Sequence, residues 1–142
     1  MIIRHDLELA FIHIPKCGGK EIRKVLKAGI KNENDCIELF NFEYDKRTRK
    51  YVDLAHLAAY NVRLRKEYRY IKKYQTLCCT RNPYARYISA VNEYYRQESK
   101  STEKLVEMGK ITKEMRLNYY NGISYKHSIE DPRFVHSWPM HY

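Results

Sequence analysis

Short apolar runs and longer amphipathic segments alternate along the chain. "LELAFIHI" (Leu7–Ile14) is almost continuously apolar, the pattern of a strand covered on both faces. Pro15 ends it. Glu21–Ala28 then carries Ile22, Val25 and Leu26 at helical spacing, with Gly29 as a stop. "CIELFNF" (Cys36–Phe42) alternates and reads as a second strand. Asp45–Lys50 ("DKRTRK") is an exposed basic turn. Tyr51–His56 ("YVDLAH") is a short strand that delivers His56 at its end. Leu57–Lys73 is helix-like, basic and rich in tyrosine. Tyr74–Thr80 ("YQTLCCT") reads as another core strand. Tyr84–Gln97 is a helix with Tyr84, Tyr87, Ile88, Val91 and Tyr94 along one face. Thr102–Met108 is a short helix, and the remaining tail has no firm period. Strands alternating with helices predict an α/β domain whose sheet is mainly parallel. The loops after its strands then lie on the edge where such folds bind ligands.

The length, 142 residues, fits one domain. The net charge of +10, from 27 Lys and Arg against 17 Asp and Glu, favours anionic partners without choosing among them. The four cysteines, Cys17, Cys36, Cys78 and Cys79, form no zinc-ligand spacing. They are expected to be reduced, with Cys78 and Cys79 in a packed core. No apolar run approaches the roughly 18 residues of a membrane span. The first strand-like pattern starts too early for a signal peptide. With Met1 as the natural start, the expectation is a cytoplasmic protein.

Two strand-to-helix junctions carry candidate chemistry. In Pro15-Lys16-Cys17-Gly18-Gly19-Lys20 the glycines let successive N–H groups converge, the following helix start adds partial positive charge, and Lys16 adds a full one. The loop is not a nucleotide-kinase P-loop. Ile14 stands at that motif's first glycine, and Glu21 at its hydroxyl position. The second junction is "RNPYARYIS". Asn82 is a good N-cap and Pro83 suits the first helical position. Arg81 sits beside the helix start, with Arg86 and Ser89 along one flank of the helix. A guanidinium, a hydroxyl and a helix dipole there suit a phosphate. A bland reading exists for each junction: a Gly-Gly turn with a solvated lysine, and a capped helix with surface arginines. A ligand with two separated anionic groups accounts for both at once.

Together these residues resemble the sulfotransferases that use 3′-phosphoadenosine 5′-phosphosulfate (PAPS). "PKCGG" is similar to their 5′-phosphosulfate loop, P-K-x-G-[GT]-[ST], and "RNPYARYIS" to their 3′-phosphate motif, R-[DN]-P-x-x-R-x-x-S. The likeness is nearest to carbohydrate enzymes of the heparan-sulfate 2-O-sulfotransferase and chondroitin type. It covers Leu7 to Ser89 well and the rest more loosely.

The resemblance implies a P-loop-like three-layer fold with helices flanking a mainly parallel sheet. It implies that Lys16 stabilises charge on the leaving oxygen. Cys17, Gly18, Gly19 and Lys20 form the loop around the 5′ group. Arg81 and Ser89 bind the 3′-phosphate, and His56 is the general base. Arg86 supports the loop. "FVHSWPMHY" (Phe134–Tyr142) resembles a later H-x-x-P-Q segment through His136 and Pro139. PAPS is the implied co-substrate, with a hydroxyl acceptor, in particular a glycan, and no metal.

The sequence departs from the family at Lys20 and Glu21, where Ser or Thr is usual, at Met140, and in the short C-terminal part. The chain therefore reads as one sulfotransferase-like domain over residues 1–142, incomplete at its C-terminus. The alternative is a catalytically degenerate module that binds nucleotide or polyanion. The basic run Arg63–Lys73 suits an acidic glycan or simply a solvated helix face. Nucleic acid is disfavoured, since no recognised motif supports it.

Overall fold

The computed structural model describes residues 1–46, 49–57 and 62–124. Contacts divide the chain into two compact units, one built on Met1–Thr80 and the other starting at Arg81.

In the first unit, β1 (Ile2–Arg4), β2 (Leu9–Ile12), β3 (Cys36–Glu38) and β6 (Gln75–Cys78) form a sheet in the order β3-β1-β2-β6. β1 pairs antiparallel with both β2 and β3, and only β2 and β6 run parallel, with Phe11 opposite Leu77. The sheet is therefore mostly antiparallel, where the sequence pattern predicts a mainly parallel one. The difference comes from β1. Its apolar stretch is three residues long and ends in Arg4, too short a run to read as a strand. Arg4 is nonetheless buried, because its guanidinium bonds Asp6 at 2.8 and 2.6 Å and also reaches the Leu26 carbonyl. A paired, hydrogen-bonded arginine can sit inside where a lone one cannot.

Met1, Ile3, Ala10, Leu39, Leu54 and Val62 form the core of this unit. Ile37, Val52, Tyr68, Tyr70 and Ile71 pack against it. α1 (Gly19–Lys27) follows β2, as its spacing predicts. It is held largely by polar contacts, and Val25, expected on the apolar face, is exposed. A hairpin of β4 (Phe42–Asp45) and β5 (Lys50–Asp53) follows β3, and a single 3-10 turn, Leu54–His56, follows β5. Within the described part of the helix expected over Leu57–Lys73, α2 spans Tyr68–Lys73.

β6 differs from expectation as well. It is an edge strand with all four residues exposed. Cys78 is exposed and Cys79 partly so, not packed in a core; Cys17 is the buried cysteine. No disulfide joins the four thiols.

The second unit contains α3 (Pro83–Glu98), α4 (Lys100–Glu107) and α5 (Lys113–Ser124). Ala90, Val91, Tyr95, Ile111 and Tyr119 make its core, with Tyr87 and Tyr94 against them. The buried Tyr95 and the partly buried Tyr87 donate their hydroxyls to the Met115 and Arg116 carbonyls at 2.8 and 2.9 Å, so their polar ends are satisfied. The buried face is rotated from the expected stripe. Tyr84, at 81% exposure, and Ile88 point out, while Ala90 and Tyr95 point in. Ser99 and Thr102 form a reciprocal capping box that starts α4.

Candidate functional site

The glycine loop departs from regular backbone at two residues. Lys16 has φ 63° and Gly18 φ 82°, both left-handed. For a lysine that conformation is strained, and such strain concentrates at functional loops. A tight turn, Cys17 N–H to the Ile14 carbonyl at 3.4 Å, sets the bend. Lys16 is half-buried, Cys17 and Gly19 are buried, and Gly18 and Lys20 are exposed. α1 then begins with Gly18 as its N-cap, and no side chain caps it. Its opening N–H groups lack the side-chain acceptor that most helix starts supply. A helix start of this kind, with a lysine beside it, has the chemistry to hold an oxyanion.

The second glycine has a different reason from the first. A Cβ on Gly19 would lie 2.6 Å from Nε2 of His13. The loop thus rests directly on His13. The His13 ring in turn stands 5.6 Å from the His56 ring and 5.2 Å from Phe40. His56 follows β5 on the 3-10 turn, as the sequence suggests. Its Nδ1 is 2.5 Å from Oδ2 of Asp53, whose Oδ1 accepts the Ala55 N–H at 2.8 Å. Asp53 therefore caps the turn and fixes the imidazole together.

The first unit brings together Lys16, Cys17, Gly18, Gly19 and Lys20, and links them through His13 to His56 and Asp53. His13 reads from sequence as a packed strand residue, and Asp53 goes unnoticed. The available signal is the i, i+3 spacing of Asp53 and His56, which a single tight turn brings face to face.

α1 is aligned by ionic contacts. Arg23 bonds one oxygen of Glu38, on β3, while Lys27 bonds the other at 2.7 Å. The Arg23 guanidinium also lies over the Phe40 ring, 4.4 Å from its centre. Burial pushes the Glu38 carboxyl up, but hydrogen bonds from Lys27 and Arg23 outweigh it and hold it below the ordinary range. Glu21 lies where the family has a hydroxyl. It pairs along the helix surface with Lys24 at 3.0 Å, with about three quarters of both side chains exposed.

Arg81 and Ser89 belong to the second unit. Arg81 is exposed and precedes α3; Ser89 is half-buried almost two turns along it; Arg86, between them, is buried. The α3 start differs from that of α1. Asn82 accepts the Tyr84 and Ala85 N–H groups at 3.0 and 3.2 Å, and Pro83 takes the first helical position. The segment Phe134–Tyr142, with His136 and Pro139, lies outside the described residues.

A model described as "Sulfotransferase family" matches residues 1–135, and the chain belongs to that family. No curated protein and no solved structure matches the chain significantly. Among the described residues, no helix is long and apolar enough to cross a membrane.

Proposed function

We propose that this sulfotransferase-family chain moves the sulfuryl group of PAPS to a hydroxyl of a carbohydrate acceptor. On this reading both units are parts of one such domain. The supporting observation is the run of contacts from the uncapped glycine loop, through His13, to a histidine fixed by Asp53. The acceptor oxygen attacks sulfur, and the bond from sulfur to the 5′-phosphate oxygen breaks. The bonding pair leaves on that oxygen, where Lys16 and the α1 start meet the new charge. Nε2 of His56 takes the hydroxyl proton, and Asp53 at Nδ1 steadies the imidazolium that results. Arg81 and Ser89 grip the 3′-phosphate. The wider likeness to carbohydrate enzymes of the heparan-sulfate 2-O and chondroitin type is what makes a glycan the acceptor in this reading.

The test is calorimetric titration with adenosine 3′,5′-bisphosphate on wild type and Arg81→Ala, followed by turnover of labelled PAPS in His56→Ala. The expected result is binding that Arg81→Ala weakens at least tenfold, and turnover lost in His56→Ala with nucleotide binding kept. Unchanged turnover in His56→Ala would remove the base assignment. Nucleotide binding without turnover on any acceptor in wild type would favour the degenerate binding module. The replacement of the loop hydroxyls by Lys20 and Glu21 is the observation on its side.

A further inference from the structure

The β4–β5 hairpin leaves one face of aromatic rings exposed. In its register Phe42 pairs with Asp53, Glu43 with Val52, and Tyr44 with Tyr51. Directly opposed residues share a face. The opposite face carries Val52, which packs against the core cluster, and Glu43, itself exposed, which accepts from Arg65 at 2.9 Å. The outward face carries the aromatics. Phe42 is 65% exposed, Tyr44 49% and Tyr51 72%. The Tyr44 and Tyr51 rings stand edge to face, 5.3 Å apart. Turning the hairpin over with the same pairing would bury the three rings and expose Val52, so aromatic burial alone disfavours this orientation. Sheet faces seldom leave three aromatics in water without a use for them.

The fourth residue of that outward face is Asp53, the carboxylate that holds His56. The hairpin base beside it is pinned. Leu54 is buried, and its N–H donates to the Asn41 carbonyl at 3.0 Å. The aromatic face therefore runs continuously into the residue that fixes the proposed base. We propose that Tyr51, Tyr44 and Phe42 form the acceptor platform, on which a pyranose ring stacks so that its hydroxyl reaches His56. This rests on the sulfuryl-transfer reading. The occupant is a sugar because a pyranose with equatorial substituents presents a flat face of C–H groups. Those groups are complementary to the electron-rich face of a tyrosine ring, while the phenol hydroxyls hydrogen-bond the sugar's edge. The turn supplies Lys46 and Arg49 for carboxylates on such a chain.

The test uses an unsulfated tetrasaccharide of alternating glucuronate and N-acetylglucosamine. Its binding is followed by calorimetry and by saturation-transfer NMR on wild type, Tyr51→Ala, Tyr44→Ala and Tyr51→Trp. Wild type should bind, each alanine variant should weaken binding about tenfold, and Tyr51→Trp should retain it. Adenosine 3′,5′-bisphosphate binding should be unchanged in all four, which also shows that the variants fold. Equal tetrasaccharide affinity in wild type and both alanine variants would overturn the platform. So would no wild-type binding at millimolar sugar. Failure of the nucleotide titration in wild type would count against sulfuryl transfer alone, because the sugar titration is read without turnover.

Discussion

α1 opens at Gly18 with no side chain across its first turn, whereas α3 opens at Asn82, whose side chain accepts two of its first N–H groups. Both helices follow a strand and both sit in motifs of phosphate type. The difference is in what their backbones are left to do. At α3 the N-cap is already made, so an anion there has to be gripped by side chains, Arg81 and Ser89 in our proposal. At α1 no side chain caps the first turn, Lys16 and Gly18 are left-handed, and in our proposal that backbone meets the 5′ group. A capped start forms without ligand. An uncapped one keeps part of its stabilisation for the ligand.

The largest effect separating the two starts should come from Lys16→Ala. If the leaving charge develops at the α1 start, turnover with labelled PAPS falls about 100- to 1000-fold. The melting midpoint should hardly change, since alanine meets the same backbone strain. A loss below threefold would mean that the charge is stabilised elsewhere.

Gly19→Ala tests the packing beneath the same loop. A methyl 2.6 Å from His13 Nε2 forces the ring or the loop to move, at about 2 kcal/mol in urea unfolding. His13→Ala removes the obstacle, so the two changes should couple by about 1 kcal/mol in the double variant. Strict additivity would show that the ring already yields.

These positions also show what the sequence made legible. The glycine loop, the cap at Asn82 and the delivery of His56 just beyond β5 are written locally, although a 3-10 turn, not strand, carries His56. The sheet departs from the expected parallel one for a non-local reason. Arg4 enters the interior only because Asp6 and the Leu26 carbonyl receive it, and Leu26 is 22 residues away. His13 reads as a strand residue but lies just past β2, and its contact with Gly19 and His56 exists only once β2, α1 and β5 are assembled. The exposure of Tyr44 and Tyr51 depends on which hairpin face packs inward, the one carrying Val52, which alternation alone does not reveal.

Asn82→Ala is the counterpart test on α3. Removing a cap that satisfies two N–H groups should cost about 1 kcal/mol of stability. Nucleotide affinity at a temperature where the variant is folded should change less than threefold, because Asn82 is a structural acceptor and not a ligand group. A collapse of affinity with unchanged stability would reverse that assignment and make the two starts alike.

The smallest expected effect concerns how each helix is held. α3 docks through apolar residues, Ala90 and Val91 among them, whereas α1 depends on Glu38 receiving Arg23 and Lys27. The Glu38 pKa lies below its ordinary 4.5 in the folded chain. A depressed carboxyl contributes stability that is complete above the unfolded value and is lost as pH falls through the folded one. Wild type should therefore exceed Glu38→Gln by about 1 kcal/mol from neutral pH down to about 5, with the gap narrowing below 4.5. Urea midpoints measured from pH 7 to 3 decide it. A gap that stays constant to pH 3 would mean that the carboxylate charge is not what seats α1. The helix would then be positioned by the stacking of Arg23 on Phe40 and by the reach of Arg4 to its last turn.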